Sequence, residues 1–132
     1  MAETEGLNHL GLAVRDLDET TGFFVDVLGW TETARDPGYP RTTVTDGALR
    51  LTLWQTDPGA ADFDRRAHIG LHHLAMSVPT EQVLMDLADR ISRTPGVIVA
   101  FMPEFMGKGP RKHMIFTEPG GIRLELVWHG MP

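Results

Sequence analysis

Two histidines and one glutamate occur in this sequence at positions where they could hold a metal ion. His9 and His73 each lie five residues before a valine in a strand-like run, Val14 and Val78. Glu125 lies in an apolar stretch, where an unpaired carboxylate is costly to bury. The chain contains no cysteine, so any metal must be held by His, Asp or Glu. Two imidazoles and one carboxylate suit a divalent metal such as Fe(II), Mn(II), Ni(II) or Zn(II).

The stretch around Glu125 has the alternating pattern of a β-strand. Residues 120–128 place Leu124 on one face and Glu125 on the other, because side chains alternate along a strand. The carboxylate therefore belongs to a different face from the apolar residues that flank it. One alternative is that Glu125 pairs with Arg123 or Arg50 in a polar interior and binds no metal.

An internal repeat relates the two histidines to each other. The run that begins at His9 overlays the run that begins at His73 at an offset of 64 residues, and the run around Thr52 overlays that around Glu125 at an offset of 73. A repeat of this length indicates duplicated units that share one core. If a pseudo-two-fold axis relates the halves, these four positions converge. Thr52 is a poor metal ligand, so three protein ligands and open coordination positions remain, as in catalytic sites.

The chain of 132 residues has the length of a single domain, residues 1–132. Its pattern predicts a first module over about 6–55, a linker over 56–69 and a second module over about 70–130. Each module is predicted to have the order β-α-β-β-β. The linker is polar and rich in turn residues.

Cap and turn residues divide the modules into elements. Asp16, with Glu19 three residues later, predicts a helix start, and Gly29 predicts its end. Thr80 predicts the start of the second helix. Residues 102–110, which contain two glycines, predict a loop between strands.

The composition excludes several classes of function. Acidic residues outnumber basic ones 18 to 12, for a net charge of −6, and no extended basic cluster indicates nucleic-acid binding. No apolar run is long enough to cross a bilayer. The acidic, polar N-terminus does not resemble a signal peptide. Together with the lack of cysteine, these features predict a cytoplasmic protein that binds neither membranes nor nucleic acids.

A short basic stretch precedes the predicted seventh strand. Arg111 and His113 share one face of that strand, and Lys112 lies on the other. Arg111 could bind an anionic substrate group, and His113 could act as an acid or base beside a metal. The alternative is a solvated loop that leads into the strand. We take Arg111 and His113 as candidate catalytic residues.

Four motifs resemble the vicinal oxygen chelate superfamily, which includes glyoxalase I, bleomycin-resistance proteins, fosfomycin-resistance enzymes and extradiol dioxygenases. The motifs are the segments Asn8–Asp16, Phe23–Trp30, His72–Val78 and Thr117–Leu126. The last resembles the turn and the metal-ligand strand of the family. Together the four segments span nearly the whole chain.

The resemblance implies an α+β fold of two βαβββ modules whose curled mixed sheets form a cleft, assembled as a homodimer. It implies metal ligands on the first and last strands of the modules, at His9, His73 and Glu125. The implied function is a metal-dependent lyase or oxygenase, glyoxalase-like or dioxygenase-like, whose small-molecule substrate chelates the metal through adjacent oxygens. The alternative is a metal-free binding or sequestering protein like the bleomycin-resistance members. Glyoxalase I-like members have Glu or Gln where this chain has Thr52.

Overall fold

The computed structural model describes residues 1–131, and their eight strands form two mixed sheets of four strands each. Each sheet lies in its own compact unit: the first is Met1–Ala60, and the second begins at Ala61. Both units have the order β-α-β-β-β. This confirms the predicted fold of two repeated modules.

The first unit contains a sheet with the strand order β1-β4-β3-β2. Its elements are β1 (Leu10–Val14), α1 (Leu17–Gly22), a π-helical turn (Phe23–Val27), β2 (Thr31–Asp36), β3 (Arg41–Thr45) and β4 (Arg50–Gln55). β1 runs parallel to β4, and the other neighbours are antiparallel. The Asp16 carboxylate accepts a hydrogen bond from the Glu19 backbone N–H, which confirms the predicted helix cap. Gly29 has φ of 77°, the left-handed conformation that ends a helix and favours glycine.

The second unit repeats this arrangement with the strand order β5-β8-β7-β6. Its elements are β5 (Leu74–Val78), α2 (Glu81–Ser92), β6 (Ile98–Phe105), β7 (Lys112–Thr117) and β8 (Arg123–Trp128). The Thr80 hydroxyl accepts a hydrogen bond from the Val83 N–H and caps α2, as predicted. α2 buries Leu84, Ala88 and Ile91 and contacts all four strands. The opposite face of the sheet is therefore free to carry polar side chains.

The strand register confirms the repeat read from the sequence. In the first unit Gly11 on β1 lies opposite Thr52 on β4. In the second unit Ala75 on β5 lies opposite Glu125 on β8. The two pairs are related by the same offsets, 64 and 73, that overlay the sequences. Thr52 and Glu125 thus hold the same position in their units, as do His9 and His73.

Some strand boundaries differ from the predictions. β1 begins at Leu10, so His9 lies just before the strand instead of within it. β6 continues through Phe105, so its second half occupies part of the predicted loop at 102–110. Glu104 pairs with His113, and an irregularity between Phe101 and Glu104 accommodates Pro103. Proline is tolerated in an edge strand at such a bulge, which is why the loop prediction was wrong there.

The helices of residues 1–131 are short. α2, with 12 residues, is the longest, and none of them has the length and apolar character that a bilayer-spanning helix needs.

Candidate metal centre

Glu125 lies in the middle of β8, on the sheet face opposite α2. Its neighbours Leu124 and Leu126 are buried on the helix side, as the alternation predicts. Glu125 itself is only 7% exposed. It lies between Ala75 on β5 and Ile115 on β7. A carboxylate this deeply buried requires polar partners, and the flanking strands supply them.

His73 is the first of these partners. It immediately precedes β5 and lies two residues before Ala75, so it is on the same face, diagonal to Glu125. His73 Nε2 is 3.3 Å from Glu125 Oε1. The structure thus brings two of the three proposed ligands close together.

His113 is the second partner. It lies on β7, two residues before Ile115, and its Nδ1 is 2.5 Å from Glu125 Oε2. A carboxylate accepts hydrogen bonds, so His113 Nδ1–H is the donor and Nε2 of the neutral ring carries the lone pair. The His113 ring also contacts Phe101, with the ring centroids 4.9 Å apart. Glu125 and Phe101 together fix the orientation of this imidazole.

The other ring nitrogen of His73 contacts the residue before it. His72 Nδ1 and His73 Nδ1 are 2.7 Å apart, and Arg123 Nη1 is 3.4 Å from His72 Nδ1. Loss of hydration, with the nearby charge of Arg123 as a second cause, lowers the pKa of His72. A lowered pKa favours the neutral ring, which has one nitrogen able to accept a hydrogen bond.

The first unit contains the same arrangement around His9. His9 Nδ1 is 2.8 Å from Asn8 Oδ1, and Arg50 Nη2 is 3.3 Å from the same oxygen. The repeat offsets place Asn8 over His72 and Arg50 over Arg123. Each histidine thus follows a residue that also contacts an arginine of the last strand in the same unit.

The remaining candidate residues are Arg111 and Thr52. Arg111 was predicted to lie on the seventh strand, but it is exposed and precedes β7. Its backbone carbonyl accepts a hydrogen bond from the Met106 N–H. Thr52 is buried opposite Thr43 on β3. The Glu125 oxygens lie against His73 and His113, and Arg123 and Arg50 contact the residues that precede the histidines.

Sequence reasoning missed the residues that precede the two histidines, Asn8 in the first unit and His72 in the second. The signal that could have identified them is their position, since each directly precedes a histidine of the repeat. It also did not foresee that His113 contacts Glu125. That contact depends on the diagonal register between β7 and β8.

The donor atoms present can be tested against a divalent metal. Among residues 1–131, no three His, Asp or Glu side chains are arranged so that they could hold a metal between them. The pair His73 and Glu125 does fit as part of such a set. Two ligand atoms about 2.1 Å from one metal lie about 3.0 Å apart at a right angle and about 3.4 Å apart in a tetrahedron. The observed separation of Nε2 and Oε1, 3.3 Å, falls in that range.

A comparison with protein families identifies one match. The family model described as the Glyoxalase/Bleomycin resistance protein/Dioxygenase superfamily matches residues 6–126. No curated protein sequence matches the chain.

Solved structures with the same fold cover nearly the whole chain. The glyoxylase/bleomycin resistance protein/dioxygenase domain from Frankia sp. EAN1pec is 26% identical, with a TM-score of 0.80, and the match covers 96% of this chain and 93% of that one. The fosfomycin resistance protein FosX from Listeria monocytogenes is 20% identical, with a TM-score of 0.73 and coverage of 95% and 93%. FosX from Mesorhizobium loti is 18% identical, with a TM-score of 0.70 and coverage of 95% and 92%. At identities this low, the two FosX structures establish the fold alone.

Proposed function

The chain belongs to the Glyoxalase/Bleomycin resistance protein/Dioxygenase superfamily, and we propose from this that it is a divalent-metal-dependent enzyme. Its substrate is a small molecule that chelates the metal through adjacent oxygens. Members of this superfamily commonly use divalent metals and act on small molecules. The single observation that carries the proposal is the pair formed by His73 and Glu125, whose donor atoms are 3.3 Å apart.

The proposed ligands are His9, His73 and Glu125. His73 and Glu125 belong to the second unit, and His9 joins them because it is the repeat equivalent of His73. The third ligand could come from the same chain or from a partner chain. A bound metal would act as a Lewis acid on the chelated oxygens.

His113 is the proposed acid or base. Its Nδ1–H donates to Glu125 Oε2, so the Nε2 lone pair of the neutral ring remains to accept a proton. Phe101 limits the motion of the ring. Arg111 is the proposed anion-binding residue, because its guanidinium is exposed and can pair with a carboxylate or phosphonate of the substrate.

The identity of residue 52 favours one reaction class over another. A threonine hydroxyl has no accessible pKa near neutrality and cannot take a proton from carbon by itself. We therefore expect oxygen-dependent or other metal-assisted chemistry, because the glyoxalase I isomerisation would require His113 to replace the missing base at residue 52. The test loads the protein with Fe(II), Mn(II), Ni(II) or Zn(II) in turn. It then assays the hemithioacetal of methylglyoxal and glutathione beside catechols under oxygen.

The variant Thr52→Glu sharpens that test. It supplies the missing carboxylate, and hemithioacetal turnover that appears only in this variant would support the role assigned to residue 52. Thr52→Ser is the matched control, since it keeps a hydroxyl and should leave hemithioacetal turnover at background. Robust hemithioacetal turnover by the wild type would show the inference to be wrong.

A metal-free binding protein is the second candidate. Two observations favour it. Both Glu125 oxygens have a histidine partner, and every buried side-chain polar atom in residues 1–131 has a hydrogen-bonding partner. In such a protein the site is polar and self-sufficient, and the ligand occupies the adjoining surface. Absence of turnover together with ligand binding that is unchanged by EDTA would favour this candidate.

We also propose a homodimer in the cytoplasm. Members of the superfamily often form dimers, and β6 is an edge strand with exposed apolar residues at Ile98, Met102 and Phe105. Pairing or covering such an edge across a partner would protect it from aggregation. Light scattering at micromolar concentration should give twice the 14.7 kDa of one chain. A mass of one chain would contradict the dimer.

A further inference from the structure

We propose that Asn8 and His72 are positioning residues that fix the tautomers of His9 and His73. Each presents an acceptor atom to Nδ1 of the histidine that follows it. Each acceptor also faces an arginine, which is Arg50 in the first unit and Arg123 in the second. The consequence is that Nε2 of both histidines carries the lone pair that a metal needs. The inference rests on the proposed metal-dependent function.

In the first unit the donor and acceptor roles follow from the atoms present. Asn8 Oδ1 is a carbonyl oxygen and can only accept. Arg50 Nη2 donates to it, and His9 Nδ1, 2.8 Å away, must donate as well. The two donors also establish which end of the amide is the oxygen. With its proton on Nδ1, neutral His9 has its lone pair on Nε2.

In the second unit the acceptor is the imidazole of His72 instead of an amide. The cationic guanidinium of Arg123, with Nη1 3.4 Å from His72 Nδ1, favours an electron-rich nitrogen there over an N–H. The single lone pair of His72 Nδ1 then accepts from His73 Nδ1–H, 2.7 Å away. The lone pair of neutral His73 is then on Nε2, 3.3 Å from Glu125 Oε1. Two electron-rich atoms facing each other at this distance repel unless a cation lies between them.

The same contacts occur in both units, which argues against coincidence. The acceptors are an amide in one unit and an imidazole in the other, yet each lies one residue before the histidine and contacts the equivalent arginine. The shared property is an acceptor atom at a fixed place. Metal-ligating histidines commonly donate their other ring N–H to such a partner, and loss of that partner typically weakens metal binding 10- to 100-fold.

Two pairs of variants separate the acceptor from the rest of the side chain. Asn8→Leu and His72→Leu remove the acceptor and are expected to weaken Zn(II) or Mn(II) binding about 10- to 100-fold by calorimetric titration. Asn8→His and His72→Asn exchange the two acceptor types between the units. They should bind metal within about threefold of the wild type, because an acceptor remains in place. Asn8 and His72 are exposed, so these changes spare the core.

A measurement on the metal-free protein tests the tautomers directly. Nitrogen-15 NMR at mildly alkaline pH distinguishes a protonated Nδ1 from a protonated Nε2, and the variants assign the signals. The expected result is Nδ1–H for His9 and His73 in the wild type and a shift toward Nε2–H in the leucine variants. Nε2–H tautomers in the wild type, or equal metal affinity in the leucine variants and the wild type, would overturn the inference. Nδ1–H tautomers in a protein that binds no metal would support the positioning role and overturn the proposed function alone.

Discussion

Substitution of Glu125 by alanine is expected to weaken divalent-metal binding by at least about 100-fold, because the change removes one of three proposed ligands outright. It also removes the acceptor of the His113 Nδ1–H, so that imidazole loses its orientation. The affinity is measured by calorimetric titration of metal-free protein with Zn(II) or Mn(II). Glu125→Gln should also lose affinity, since an amide is a weaker ligand than a carboxylate.

The repeat supplies a matched control for that experiment. Thr52 occupies the position of Glu125 in the first unit and is similarly buried. Thr52→Val keeps the size of the side chain and removes only a hydroxyl, so metal affinity should stay within about threefold of the wild type. Wild-type affinity in Glu125→Ala, or an equal loss in both variants, would contradict the assignment of Glu125 as a ligand.

Substitution of Glu118 by alanine is expected to lower the free energy of unfolding by about 3 kcal/mol. Glu118 is only 1% exposed, and its carboxylate accepts backbone N–H groups from Gly120 and Ile122, at 2.8 and 3.1 Å. Hydrogen bonds to a charged acceptor are strong, and donors left without a partner in a buried turn add to the cost. This turn leads into β8, the strand that carries Glu125. The loss is measured as the shift of the urea unfolding midpoint.

The control for Glu118 is a surface carboxylate. Asp89 pairs with Arg93 one turn along α2, and both side chains are largely exposed. Asp89→Ala should cost less than about 1 kcal/mol, because exposed ion pairs contribute little. A Glu118→Ala variant no less stable than Asp89→Ala would show that the buried carboxylate does not hold the turn.

Much of the fold could be predicted because its signals are local or repeated. Strand alternation placed Leu124 and Glu125 on opposite faces, and cap residues such as Asp16 marked helix ends. The repeat went further, since its two offsets reproduce the pairing of Gly11 with Thr52 and of Ala75 with Glu125. Such pairing joins residues far apart in the chain. It could be predicted here because the two duplicated units pack in the same way.

The details of the site depend on contacts that a single sequence does not encode locally. His113 meets Glu125 only because β7 and β8 pair in one particular register. The roles of Asn8 and His72 depend on arginines 42 and 51 residues away in the chain. The extension of β6 past Pro103 depends on an irregular edge pairing, which outweighs the usual tendency of proline to interrupt strands.

The metal content of protein purified without chelators is the most direct test of the central claim. The protein is dialysed with Fe(II), Mn(II), Ni(II) or Zn(II), and elemental mass spectrometry then gives the number of metal ions per chain. We predict about one tightly held divalent ion per chain in the wild type and almost none in Glu125→Ala. A wild type that retains no more metal than Glu125→Ala for any of the four ions would contradict a metal centre at Glu125.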